Sequence, residues 1–142
     1  MNTGIQPTIF VVFGATGDLM KKKIVPSLLH LYKKGKLPDR FKIVGVGRQD
    51  LEDVGMQGRV REIVGLGEEE FISRVSYVRG NFDDPECYGA VAACMKTIDD
   101  AWGLCTNKLY YLAVPPEFFG PIATNLSKYS LTMGCSDQTG WT

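Results

Sequence analysis

Histidine occurs once in 142 residues, at His30, and the four cysteines, Cys87, Cys94, Cys105 and Cys135, form no C-x-x-C pair. A metal centre needs several soft ligands converging, and these spacings point to none. The cysteines are expected to be ordinary thiols of a cytosolic protein. Net charge is also absent, because 16 lysines and arginines balance 16 acids. That excludes the strongly basic surfaces used on nucleic acid or membranes, but leaves one small phosphate-bearing ligand open. No apolar run approaches the ~20 residues of a membrane helix. The polar start, Met1 to Pro7, with the short apolar stretch after it, lacks the layout of a secretory leader. A cytoplasmic protein with neither nucleic-acid nor membrane partners is the expectation.

What is present suffices for one core. Hydrophobic residues make up 44% of the chain, and its length is one domain's worth. Ile9 to Phe13 is a β-branched and aromatic run closed by Gly14, the pattern of a buried parallel strand. Apolar residues then recur at helical spacing from Asp18 to Lys33, and Lys34 and Gly35 end that helix. Lys42 to Gly47 reads as a second buried strand. Leu51 to Val64 follows as a weaker helix, and Glu68 to Ile72 as a short one. Val75 to Gly80 is the third strand. Pro85 opens a helix to about Ala101, with Tyr88, Val91, Met95 and Ile98 on one side. Lys108 to Leu112 is the fourth strand, and a helix from Glu117 to about Leu126 comes after Pro115 and Pro116.

Strands alternating with helices predict right-handed crossovers and a parallel sheet covered on both faces. Four strands fit the order 3-2-1-4 of a Rossmann-type dinucleotide-binding sheet, whose full form has six. The expected fold is therefore α/β, truncated after the fourth strand and its helix. Residues 1–142 would form one incomplete nucleotide-binding domain, with a catalytic domain absent.

The most informative segment is Gly14-Ala15-Thr16-Gly17-Asp18-Leu19, where the first strand hands over to the first helix. A pyrophosphate needs backbone N–H groups aimed at it and no β-carbon in the way, and Gly14 and Gly17 are expected to supply both at the positive helix end. Lys21, Lys22 and Lys23 oppose the helix dipole unless an anion is held nearby. The second strand ends Gly47-Arg48-Gln49, with no carboxylate before Asp50. In this fold that strand end meets the adenosine ribose. An acid there suits NAD, and an arginine suits the 2′-phosphate of NADP. A guanidinium at Arg48 offers a planar fork for phosphate, with Gln49 and Thr16 as further donors. NADP is the expected cofactor.

The segment Gly14 to Leu19 followed by Lys21-Lys22-Lys23-Ile24 and Pro26 resembles the G-x-x-G-D-L-A-x-[KR]-K-[LI]-x-P signature of the glucose-6-phosphate dehydrogenase family. The similarity continues through Leu31-Tyr32, Gly35, Leu37-Pro38 and Ile43 to Arg48. It resumes at Tyr77 to Asp83 and at Asn107 to Pro116, so it covers nearly the whole chain. The resemblance implies that Gly14, Ala15, Thr16, Gly17, Asp18 and Leu19 form a pyrophosphate loop with Lys21 just beyond. It implies that Thr16, Arg48 and Gln49 grip the 2′-phosphate. Ala113, Val114, Pro115 and Pro116 would lie along the cofactor towards the nicotinamide, with Phe119 as a nearby aromatic. Lys23 would add positive charge on the sugar-phosphate side. The implied activity is oxidation of glucose 6-phosphate to 6-phosphogluconolactone, the first step of the pentose phosphate pathway.

Two departures from the family pattern matter. Met20 stands where a small residue is usual and is expected to shift the helix start slightly. Beyond Gly140-Trp141 the family continues into an E-K-P-F-G segment and later an R-I-D-H-Y-L-G-K segment, and neither is present. By resemblance the second holds the general-base histidine, and both hold lysines for the sugar phosphate. This chain alone would then carry no catalytic residues, and glucose 6-phosphate would bind only with the missing domain. His30 lies too late in the first helix to replace that base. A stand-alone NADP-binding sensor or scaffold module remains an alternative. A short-chain dehydrogenase does not, since the one tyrosine with a lysine four residues on, Tyr32 with Lys36, lies at the end of the first helix away from the phosphate loop. The fourth strand would also present an exposed sheet edge through which the chain could self-associate.

Overall fold

The computed structural model describes residues 6–129 and 131, which leaves Cys135 and Gly140-Trp141 outside the described residues. Four strands, β1 (Thr8–Phe13), β2 (Phe41–Gly47), β3 (Val75–Arg79) and β4 (Asn107–Leu112), form one parallel sheet in the order β3-β2-β1-β4. This is the predicted order. β1 lies at the centre, with Thr8 beside Phe41 on one flank and Asn107 on the other.

Alternation along β1 sends successive side chains to opposite faces, and each face has its own core. On one face Ile9, Val11 and Phe13 meet Val44, Val46 and Val78. They are covered by α4 (Pro85–Trp102) and α5 (Phe119–Lys128) through Tyr88, Val91, Met95, Ile98, Ile122 and Leu126. On the other face Val12, Ile43 and Val75 meet Val25 and Leu28 of α1 (Val25–Lys33), Met56 and Val60 of α2 (Asp53–Val64), and Phe71 and Ile72 of α3 (Glu69–Ile72). β4 is covered unevenly. Tyr110 and Leu112 pack into the first core, whereas Leu109 and Tyr111 are exposed.

The helix boundaries follow from local chemistry. Asp84 caps α4 by accepting the Glu86 N–H at 3.0 Å, with Pro85 in the first turn. α1 ends as expected. The N–H groups of Lys36 and Gly35 close on the Leu31 and Tyr32 carbonyls, with Gly35 at φ 68°. At the far end of α4, Asp99 accepts from Thr106 Oγ1 at 2.6 Å and from Lys108 Nζ at 2.7 Å, joining that helix to the start of β4.

The first helix departs from expectation in one respect. It is helical from Asp18, but Met20–Ile24 is a π-helical turn, in which the Val25 N–H reaches the Met20 carbonyl five residues back. Pro26 supplies the reason. It sits inside the helix, has no N–H for the Lys22 carbonyl, and its ring crowds the preceding turn, so the chain widens just before it. Met20 itself is buried at the start of that turn, in the core with Ala15 and Met56. Among the described cysteines, Cys87 and Cys94 are free thiols, Cys87 buried and Cys94 half-buried.

Candidate dinucleotide-binding site

The carboxyl ends of the four strands open onto one cleft of about 790 Å³. Gly14, Thr16 and Gly17 come from the turn after β1, Gly47, Arg48 and Gln49 from the end of β2, and Asn81, Phe82 and Asp83 from the turn after β3. Ala113, Val114, Pro115 and Phe118 follow β4. Ligands of open α/β sheets bind outside the carboxyl ends where strand order reverses, and here that point lies between β1 and β4.

The loop after β1 owes its shape to two contacts. The N–H groups of Gly14 and Ala15 both donate to the Val46 carbonyl, at 2.9 and 3.1 Å, and that of Gly17 donates to the Gly14 carbonyl at 3.1 Å. The expectation that the glycines themselves offer N–H groups to a phosphate is therefore corrected, because those donors are committed inside the protein. Between Gly14 and Lys21, the main-chain N–H groups without a main-chain partner among the described residues are those of Thr16, Asp18, Leu19 and Met20, at the helix start. The glycines contribute space instead. A β-carbon on Gly17 would meet nothing in the protein closer than the Gly14 carbonyl oxygen, at 3.4 Å.

The end of β2 is built around Tyr77. Its hydroxyl donates to the Gln49 carbonyl at 2.8 Å, and its N–H donates to Asp53 Oδ1 at 2.8 Å. The ring crosses over Gly47, where a β-carbon would lie 2.9 Å from the hydroxyl oxygen. Burial raises the Tyr77 phenol, and the charges of Arg59 and Arg79 pull it the other way. Arg48 is exposed and makes no hydrogen bond or ion pair among the described residues. Asp50, the first acid after β2, lies 3.6 Å from Arg79.

Beneath the cleft, the Phe82 carbonyl accepts from the Tyr88 hydroxyl at 2.6 Å, and the Phe82 ring meets Phe13 and Phe118 edge-on. Burial pushes Tyr88 up to about 12 and the Cys87 thiol up to about 11, so both stay protonated at neutral pH.

The structure divides the predicted site residues among three places. Gly14, Thr16, Gly17, Arg48, Gln49, Ala113, Val114 and Pro115 share the cleft. Ala15, Asp18 and Lys21 line a smaller recess of about 400 Å³ on the other side of the loop, with Met56, Arg59 and Glu62 of α2. Lys23 lines a shallow apolar groove with Phe10, Leu109 and Tyr111, beside β4. Leu19, Pro116 and Phe119 line none of these. Phe118 occupies the cleft wall, while Phe119 is exposed at the start of α5. Asn81, Phe82 and Asp83 were missed as site residues, although their position just after β3 marks them out. His30 is exposed on α1. Among the described residues no cluster has the makings of a metal site, and no helix is long and apolar enough to cross a membrane.

A three-layer parallel sheet with this loop and cleft defines a dinucleotide-binding domain. The chain belongs to the glucose-6-phosphate dehydrogenase family: residues 11–142 match the family described as "Glucose-6-phosphate dehydrogenase, NAD binding domain". It is 36% identical over 141 residues to a glucose-6-phosphate 1-dehydrogenase of Chlamydia pneumoniae, covering 93% of this chain and 28% of that protein. The Bacillus subtilis enzyme of the same name is 33% identical over 146 residues, covering 99% of this chain and 29% of the relative. A solved glucose-6-phosphate dehydrogenase in complex with its substrate glucose-6-phosphate superposes with a TM-score of 0.80 at 31% identity, over 87% of this chain and 27% of that one. The Mycobacterium avium enzyme gives a TM-score of 0.74 at 28% identity, over 90% and 28% of the two chains. This chain thus spans little more than a quarter of the length of the relatives it matches.

Proposed function

We propose that the chain is the NADP-binding part of a glucose-6-phosphate 1-dehydrogenase, acting in the cytoplasm. The observation that carries the choice of nucleotide is the end of β2. Arg48 stands unpaired on the cleft wall beside Gln49, and the nearest following acid, Asp50, is turned to Arg79. An acid free to accept from ribose hydroxyls is what NAD would want there, and an open guanidinium is what a 2′-phosphate wants.

The residues present fit that cofactor. Thr16, Asp18 and Leu19 offer main-chain donors at a helix start, Gly17 leaves room above the loop, and Ala113 to Pro115 give a neutral wall on the β4 side. Bound NADP⁺ would supply the hydride acceptor for oxidation of the sugar's 1-hydroxyl. This chain's own part is to bind and orient it: Arg48 and Gln49 fix the adenosine end, and the loop after β1 fixes the pyrophosphate. The general base and the sugar-phosphate lysines lie, by resemblance, in segments this sequence does not contain. The 142 residues alone are therefore expected to bind cofactor without turning over glucose 6-phosphate.

Calorimetric titration with NADP⁺ and NAD⁺, repeated on Arg48→Ala, tests this reading. NADP⁺ should bind at least about tenfold tighter, a difference of roughly 1.4 kcal/mol, and Arg48→Ala should remove most of that preference. Equal affinity for the two nucleotides in the unmodified chain would sink it.

A further inference from the structure

Arg59 was not among the residues that the sequence marked, yet it makes the one side-chain contact recorded to the Gln49 amide. It sits half-buried on α2, and its Nη2 donates to Gln49 Oε1. The main chain of Gln49 is held as well, since its carbonyl accepts from the Tyr77 hydroxyl at 2.8 Å and from the Leu51 N–H at 2.9 Å. Gln49 is thus fixed at both ends by groups from β3 and α2.

The chemistry of an amide makes this hold consequential. Glutamine carries an acceptor oxygen and a donor NH₂ on one rotatable plane. A free glutamine could turn its oxygen to the cleft and accept from a ribose 2′-hydroxyl, much as a carboxylate does in an NAD site. With the oxygen taken by Arg59, only the N–H donors are left to face a ligand. A phosphate dianion accepts and never donates, so this orientation suits it. Arg59 also makes no ion pair among the described residues.

We propose that Arg59 is a positioning residue for nucleotide choice: by holding the Gln49 oxygen it presents the Gln49 NH₂ to the 2′-phosphate. This rests on the NADP reading above and extends it to a residue outside the cleft wall.

The test uses two probes of the adenosine end, 2′,5′-ADP and 5′-AMP, titrated into the 142-residue chain, Arg59→Ala, Arg59→Lys, Gln49→Ala and the Arg59→Ala/Gln49→Ala double variant. Arg59→Ala should weaken 2′,5′-ADP by roughly tenfold and 5′-AMP by less than about twofold. Arg59→Lys, which keeps a donor and the charge, should recover part of the loss. The double variant should lose less than the product of the single losses, because both changes remove one coupled unit. Equal weakening of both probes, or losses that multiply independently, would overturn the proposal. So would an Arg59→Ala chain that keeps the full preference for 2′,5′-ADP. An unmodified chain that fails to distinguish the two probes would overturn the NADP reading itself, and the proposal with it.

Discussion

The carbonyl oxygen of Ala113 occupies the space where a β-carbon on Gly14 would stand, only 2.2 Å away, with Val114 Cγ1 at 2.9 Å. Gly14 also has φ 91°, a conformation side chains rarely adopt. Gly17, three residues on, has neither constraint. The two glycines should therefore respond differently to alanine. Gly14→Ala forces the β1 and β4 loops apart and should destabilise the chain by roughly 2 kcal/mol or more. Gly17→Ala should leave the melting temperature within a few degrees and weaken nucleotide binding. Thermal melts paired with NADP⁺ titration check this, and a Gly17→Ala chain that binds as well as the parent refutes the role given to that space.

Pro26 is held responsible for the wide turn at Met20–Ile24. Restoring an N–H at that position should let the segment close into ordinary α-helix. Pro26→Ala is expected to stabilise the chain by about 1 kcal/mol and to turn Lys21, Lys22 and Lys23 about the helix axis. A crystal structure of the variant reads the outcome directly, and a π-helical turn that persists shows the cause lies elsewhere.

Alkaline pH should unfold the chain through α4. Burial is the main reason that Cys87, ordinarily at 9.0, is pushed up to about 11, and that Tyr88, ordinarily at 10.0, is pushed up to about 12. Both hold their proton more firmly folded than unfolded. Their contribution is thus complete below 9, and is lost as pH rises through about 11 and then about 12. Melting temperature should stay level from about pH 7 to about 9 and fall above that. Tyr88→Phe should melt lower at neutral pH, having lost the bond to Phe82, and fall less steeply. A parent curve flat to pH 11 contradicts this.

β4 carries the sheet's exposed apolar side. Leu109 and Tyr111 are 49% and 44% exposed, on the face that α4 and α5 do not cover. Concentration-dependent self-association is expected in sedimentation velocity, and Leu109→Lys with Tyr111→Lys should abolish it. A parent chain that stays monomeric at every concentration shows that this face is tolerated in water.

Strand order, both helical layers and the cleft's position were legible because they follow from periodicity and from the handedness of β-α-β units. Gly14, Thr16, Gly17, Arg48 and Gln49 were legible for a related reason: their neighbours in sequence end a buried strand, so the sheet must bring them together. The rest depended on where atoms meet. Nothing in the spelling of the loop says that Val46 takes the first two N–H groups. The choice of Phe118 over Phe119 turns on a single residue step, about a third of a helical turn, which pattern reading does not resolve. Arg59 lies ten residues from Gln49 on a helix of weak amphipathicity, and only the packing of α2 against β3 brings the two side chains into contact. Pro26 was a signal in plain sight, passed over because the apolar spacing ran on through it.

The shared Val46 carbonyl has a consequence for affinity. Because it belongs to β2 and holds the turn after β1, the segment meant for the pyrophosphate and the strand end meant for the adenosine are fastened together before any nucleotide arrives. An incoming cofactor need not order the backbone of either one. The backbone entropy of shaping the loop is lost when the chain folds rather than when it binds, so that loss does not weaken the dissociation constant.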